Sequence, residues 1–161
     1  MKRRYALTFA VTLLAGAALH FLYTWLPLPL IGLFAPVNES VWEHLKLLYW
    51  PVLAAGFFLT QGENDQMRAW SGILLAELVM PLFLTGSYYL LRCGFGVHAL
   101  WIDIALYAMT MSVGFWLAYC VQKSGRLAFL AGVLVILTGI YGAALVLFTL
   151  APPMLPIFME T

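Results

Sequence analysis

The amino-acid sequence predicts an all-α integral membrane protein, a bundle of five transmembrane helices with the N-terminus inside and the C-terminus outside. Three observations predict it: a composition almost empty of charge, five apolar stretches of spanning length, and a lopsided distribution of Lys and Arg. Of 161 residues, 64% are hydrophobic and only 9% charged. A water-soluble domain carries roughly 25% charged residues to wet its surface, so most of this surface is expected to face lipid. The formal net charge of +1 gives no electrostatic footprint for nucleic acid. The length allows a single domain over 1–161.

A spanning helix needs about 20 mostly apolar residues. The segments that qualify are 5–26, 41–60, 67–91, 97–121 and 127–150. The first follows the basic start Lys2-Arg3-Arg4, which resembles the opening of a signal peptide. Its apolar run is long enough to span, and no small-residue cleavage site closes it, so it reads as a membrane span. Pro27 to Pro36, the polar run 61–66, Arg92-Cys93-Gly94, and Gln122 to Arg126 separate the spans, and Ala151-Pro152-Pro153 ends the last. With the N-terminus inside, Lys2, Arg3, Arg4, Arg68, Lys123 and Arg126 lie on the inner side, and only Lys46 and Arg92 fall outside. The expected location is the bacterial cytoplasmic membrane.

Pro51 and Pro81 interrupt the second and third spans. Each lacks an N–H and frees the carbonyl four residues earlier, of Leu47 and Glu77. Such carbonyls need a partner in lipid, so both kinks are expected to face protein. Gly132, Gly139, Gly142 and Ala143 are read as a small packing surface on the last span. Cys93 and Cys120 are expected near opposite membrane faces, too far apart for a disulfide.

The segment richest in chemistry runs from Asn38 to Lys46. Ser40 and Glu43 have capping-box spacing, in which the hydroxyl meets one free helical N–H and the carboxylate reaches back to another. Asn38 and Glu39 also suit a helix start, and Glu43 can pair with Lys46 one turn on. These structural roles leave His44 unexplained. His20 lies toward the same end of the first span, on a stripe with Thr8, Thr12, Gly16 and Thr24. His98 is read as opening the fourth span, with Asp103 about 7.5 Å further along on a face with Tyr107, Thr110 and Gly114. Glu77 falls about 13.5 Å from Arg68 along the third span, near the bilayer centre, and shares a face with Trp70, Pro81 and Tyr88. An ionisable residue at that depth is costly and should face the bundle interior.

The candidate ligand-binding residues are therefore His20, Asn38, Glu39, Glu43, His44, Glu77, His98 and Asp103. His20, His44 and Asp103 are the candidates for holding a metal. His44 is expected to face a cavity on the outer side, with His20 or Asp103 within about 8 Å, the reach of a shared ligand or water. Three functions stay open. One is binding or transport of a small polar ligand or cation through the outer pocket. Another is an accessory or assembly role, alone, in an oligomer or with a protein partner, in which the polar cluster only holds helices together. The third is a membrane-embedded enzyme using His44 and a carboxylate, with or without a metal. No nucleotide loop, His-Glu-x-x-His or Cys-x-x-Cys run is present, and the cofactor stays unknown.

The run Pro36-Val37-Asn38-Glu39-Ser40-Val41-Trp42-Glu43-His44-Leu45-Lys46 resembles the signature of an uncharacterised bacterial membrane-protein family, domain of unknown function 6512. Leu19-His20-Phe21 and the tail Pro152 to Phe158 are similar to that family's pattern. The resemblance implies the membrane fold and no activity.

Overall fold

The computed structural model describes residues 2–160, leaving Met1 and Thr161 outside the described residues. Its order is α1 (Lys2–Trp25), α2 (Pro29–Gly32), α3 (Val41–His44), α4 (Lys46–Thr60), α5 (Gln66–Tyr89), α6 (Leu100–Ser124) and α7 (Ala131–Leu150). A π-helical turn, Leu90–Gly94, extends α5, and 3-10 turns occupy Ala128–Leu130 and Pro156–Phe158. Strand character among the described residues is limited to an isolated antiparallel bridge between Ser40 and Glu160. Among the described residues, four helical stretches are long and apolar enough to cross a membrane: Lys2–Trp25, Gln66–Gly94, Leu100–Ser124 and Ala128–Leu150.

The expected second span is divided. Residues 41–60 are nearly continuous helix, but the bonds Leu45 N–H to Trp42 O and Leu48 N–H to Leu45 O are of the tighter i to i+3 kind. That separates α3 from α4. The fourth span begins three residues later than its apolar run: after the π turn and Gly96, at φ +66°, residues 97–99 are not helical. His98 consequently precedes α6 rather than opening it.

Helix α5 lies at the centre. It packs most extensively on α6 and also on α4 and α7, while α1 rests on α4 and α6. Close approach depends on missing side chains. A Cβ on Gly72 would run into the backbone carbonyl of Ala118, and one on Gly114 into Met80. The buried core joins Leu48, Val52 and Leu59 of α4, Ile73 and Met80 of α5, Met111 and Phe115 of α6, and Leu145 of α7. Outside it, Leu14, Leu82, Leu100, Trp101, Trp116, Ile136, Ile140 and Leu150 are exposed. That inside-out apolarity fits a lipid-facing surface.

Arginines tie one end of the bundle. Arg4 donates to the carbonyls of Phe58 and Gln61 at the end of α4. Arg68 donates to Gln122 O at 2.7 Å and Lys123 O at 2.6 Å, meeting free carbonyls at the end of α6 where the helix dipole favours a cation. Gly125, at φ +67°, ends that helix in the left-handed conformation that glycine adopts without strain.

The proline-freed carbonyl of Leu47 faces protein, as expected: a Cβ on Gly16 of α1 would lie 2.7 Å from it. The small surface of α7 is narrower than expected. Gly142 packs against Tyr49, but Gly132 and Gly139 meet nothing and, with Ala143, face outward. The α7 rotation that turns Leu134, Thr138 and Leu145 inward puts them on the opposite side. Both cysteines are free thiols.

Candidate functional site

The end of the bundle opposite the arginine clamps carries the segment from Asn38 to Lys46. Asn38 Oδ1 accepts from Ser40 N–H at 3.0 Å and closes the turn that leads into α3. Ser40 then caps the helix, its Oγ accepting from Glu43 N–H at 3.3 Å. Only this half of the capping box forms. The Glu43 carboxylate turns away, because it has a stronger partner.

That partner is Lys46, whose ammonium is buried at 0% exposure. Its Nζ lies 2.6 Å from Glu43 Oε2 and donates to Gly32 O at 2.7 Å and Ala35 O at 3.4 Å. Glu43 Oε2 also accepts from Val37 N–H at 3.0 Å, and Oε1 accepts from Thr149 on α7 at 2.8 Å. A buried ion pair is tolerated when its remaining hydrogen-bonding capacity is filled, and here it is. The network fixes the 32–37 connection, α3 and α7 to one another. Glu43, expected among the ligand-binding residues, is thus engaged in holding this end together.

His44 escapes the network. Its Nδ1 lies 2.8 Å from the Ser40 carbonyl. A carbonyl only accepts, so Nδ1 carries the hydrogen and donates. The remaining nitrogen, Nε2, is 3.4 Å from Glu39 Oε2. The other Glu39 oxygen is 3.9 Å from Nε2 of His20, and the two imidazole centroids are 5.2 Å apart. His20 Nδ1 is buried with no hydrogen-bond partner. One ligand atom from each of His20, Glu39 and His44 lies within 4.8 Å of the others. His20 arrives on the face that α1 turns inward with Thr12 and Gly16, whereas Thr24 at the end of the same stripe is exposed.

Asp103 is not part of this convergence. It pairs with Arg92 at 3.0 Å, and Arg92 Nη1 sits 3.4 Å from His98 Nδ1. Arg92 also stacks over Tyr88 at 4.8 Å. The cause is the π turn, which swings Arg92 toward the start of α6. Arg92 was missed as a site residue; its place near Asp103 across one short connection was the available signal. Glu77 lies deeper, at 0% exposure on α5.

A groove between α1 and α6, lined by Tyr5, Phe9, Phe115 and Tyr119, opens near Lys2, at the other end of α1 from His20. It is apolar and contains no converging ligand set.

Fold and site define a class, an all-helical protein with helices long and apolar enough to cross a membrane and a histidine–carboxylate cluster at one end of the bundle. Within that class, the chain belongs to the family of unknown function DUF6512, which it matches over residues 1–161. No curated protein and no solved structure matches it.

Proposed function

We propose that this protein binds a divalent transition-metal cation at the outer face of the bacterial cytoplasmic membrane, through His20, Glu39 and His44, as the receiving site of a transport-like function. The arrangement has five spans, with 41–60 as the second, the N-terminus inside, and the cluster outside. The Lys and Arg bias supports this orientation.

One observation carries the reading. The Nδ1 hydrogen of His44 is committed to Ser40 O, so Nε2 meets the Glu39 carboxylate as one acceptor meeting another. That approach is favourable only with a cation between them, a proton or a metal. A backbone carbonyl holding the second imidazole nitrogen is also the usual support for a metal-binding histidine. Ligand atoms around a tetrahedral zinc stand about 3.3 Å apart, given bonds of about 2.0–2.1 Å. The 3.4 Å separation of His44 from one Glu39 oxygen matches; His20, 3.9 Å from the other oxygen, has to move closer for all three ligand atoms, now within 4.8 Å of one another, to share one ion. Two imidazoles and a carboxylate suit zinc over calcium or magnesium, which prefer oxygen. Three protein ligands leave a fourth position through which an ion can arrive and leave.

Calorimetric titration of the purified protein with zinc tests this. One zinc per chain is expected, with affinity lost in His44→Ala, His20→Ala and Glu39→Gln. Undiminished zinc binding by all three variants would overturn it. Asn38 and the Glu43–Lys46 pair support the turn in this reading, and Asp103 and His98 belong to the Arg92 cluster.

A further inference from the structure

Helices α1 and α6, both long and apolar enough to cross a membrane, leave a groove of about 290 Å³ between them. Two edge-to-face ring pairs form its floor, Tyr5 with Tyr119 at 5.3 Å and Phe9 with Phe115 at 5.5 Å, in a register that sets the two helices antiparallel. Ala6 contributes only a methyl group to the α1 wall, and the exposed ring of Trp116 stands on the α6 wall. The hydroxyls along it are spent inside the protein: Tyr5 donates to Gln122 Oε1, and Ser112 donates to the Ala108 carbonyl at 2.8 Å. What remains is an apolar trough. Its α1 wall, from Lys2 to Phe9, rises about 10.5 Å, most of the roughly 15 Å depth of hydrocarbon in one leaflet.

One end of the trough is charged. Lys2 lines its mouth, and Arg3 follows in the chain. The other arginines here are committed, Arg4 to the carbonyls of Phe58 and Gln61 and Arg68 to those of Gln122 and Lys123. Lys2 and Arg3 are exposed and make no ion pair or hydrogen bond among the described residues. The acids of this end, Glu63 and Asp65, line a different recess beside Arg68. An apolar trough with unspent cations at one end is complementary to a molecule with an apolar tail and an anionic head.

We propose that this groove holds one anionic phospholipid of the leaflet at the basic end of the bundle, an acyl chain lying against the aromatic floor and the phosphate meeting Lys2 and Arg3. Lipid tails are as apolar as the groove, so the tail gains packing alone, and selection falls to the head. A second copy fits less well. A twofold interface on this face would bring Lys2 and Arg3 of both copies to the same depth, where like charges repel. The proposal rests on the membrane placement of α1 and α6, and on neither the orientation nor the metal site.

Native mass spectrometry of the full chain tests it, with release from detergent micelles holding equal amounts of phosphatidylglycerol and phosphatidylcholine of one acyl composition. One phosphatidylglycerol per chain should be retained, at least fivefold over phosphatidylcholine. A basic side chain near an anionic headgroup contributes about a fivefold preference, which Lys2→Ala should remove. Ala6→Trp, which fills the groove from its exposed wall, should abolish retention. Gly132→Trp, on the open face of α7, should leave it intact. Equal retention of the two lipids would overturn the proposal, as would a preference unchanged in Lys2→Ala or a lipid held undiminished by Ala6→Trp. A lipid-free dimer that Ala6→Trp splits would assign the groove to a second copy instead. If Ala6→Trp fails to fold, the wild-type preference and its response to Lys2→Ala still decide.

Discussion

Two neighbouring residues divide the motif between structure and chemistry. Lys46 and Glu43 form a buried pair whose capacity is filled by Gly32, Ala35, Val37 and Thr149. Lys46→Met strands the Glu43 carboxylate, and breaking a buried pair this way costs about 3–5 kcal/mol. Denaturant unfolding in detergent should show that loss, and Glu43→Gln combined with Lys46→Met should recover part of it. An unchanged midpoint for Lys46→Met would show that the pair contributes nothing. His44 has the opposite profile. Its single structural bond, to Ser40 O, contributes about 1 kcal/mol. His44→Ala should therefore unfold almost like the wild type while losing zinc. Protons compete with zinc for imidazole nitrogen, so wild-type affinity should fall as pH is lowered. Affinity constant across acid pH would mean that the histidines are not ligands.

At the scale of elements, the tail and the proline inside α4 matter most. The tail turns back over α3: Phe158 packs 4.8 Å from the Trp42 ring and 5.4 Å from Phe148, and Glu160 bridges to Ser40. Aromatic pairs of this kind contribute about 0.5–1.5 kcal/mol each beyond area burial. Phe158→Ala should lower stability by roughly that amount per pair and expose residues 151–160 to limited proteolysis. A tail equally resistant in the variant would show that these rings do not hold it. The Leu47 carbonyl that Pro51 leaves without its helical partner packs against α1. A side chain on Gly16 would strike Tyr107 and the Leu47 carbonyl at once. Overpacking usually costs about 1–3 kcal/mol, so Gly16→Val should reduce thermal stability. Gly132→Val, where nothing lies within 4 Å, should not.

For the whole molecule, orientation is the decisive expectation. Reporter fusions at Gly125 and within 61–66 should report the inner compartment, and fusions within 27–37 the outer one. An outer signal at Gly125 would invert the proposed topology and carry the metal cluster to the inner face.

Much of this architecture was legible in the sequence, because apolar length and charge scarcity are properties of composition. Those alone determined that the protein is helical and membrane-suited, roughly where each helix runs, and that His20, Glu39, His44 and Glu77 deserved notice. Helical period placed Thr12 with Gly16 and Thr110 with Gly114 on shared faces, and the structure buries all four. Which groups meet was decided only by the tertiary structure. Asp103 could have reached the histidines until the π turn delivered Arg92 to it, and Glu43 could have completed its capping box until Lys46 was buried beside it. The exposed glycines of α7 were misread because small residues show that a helix can be approached, not from which side. The physical reason is common to these cases. Periodicity fixes a side chain's direction within its own helix, whereas ion pairs and metal sites depend on rotations and offsets between helices, which the packed bundle alone sets.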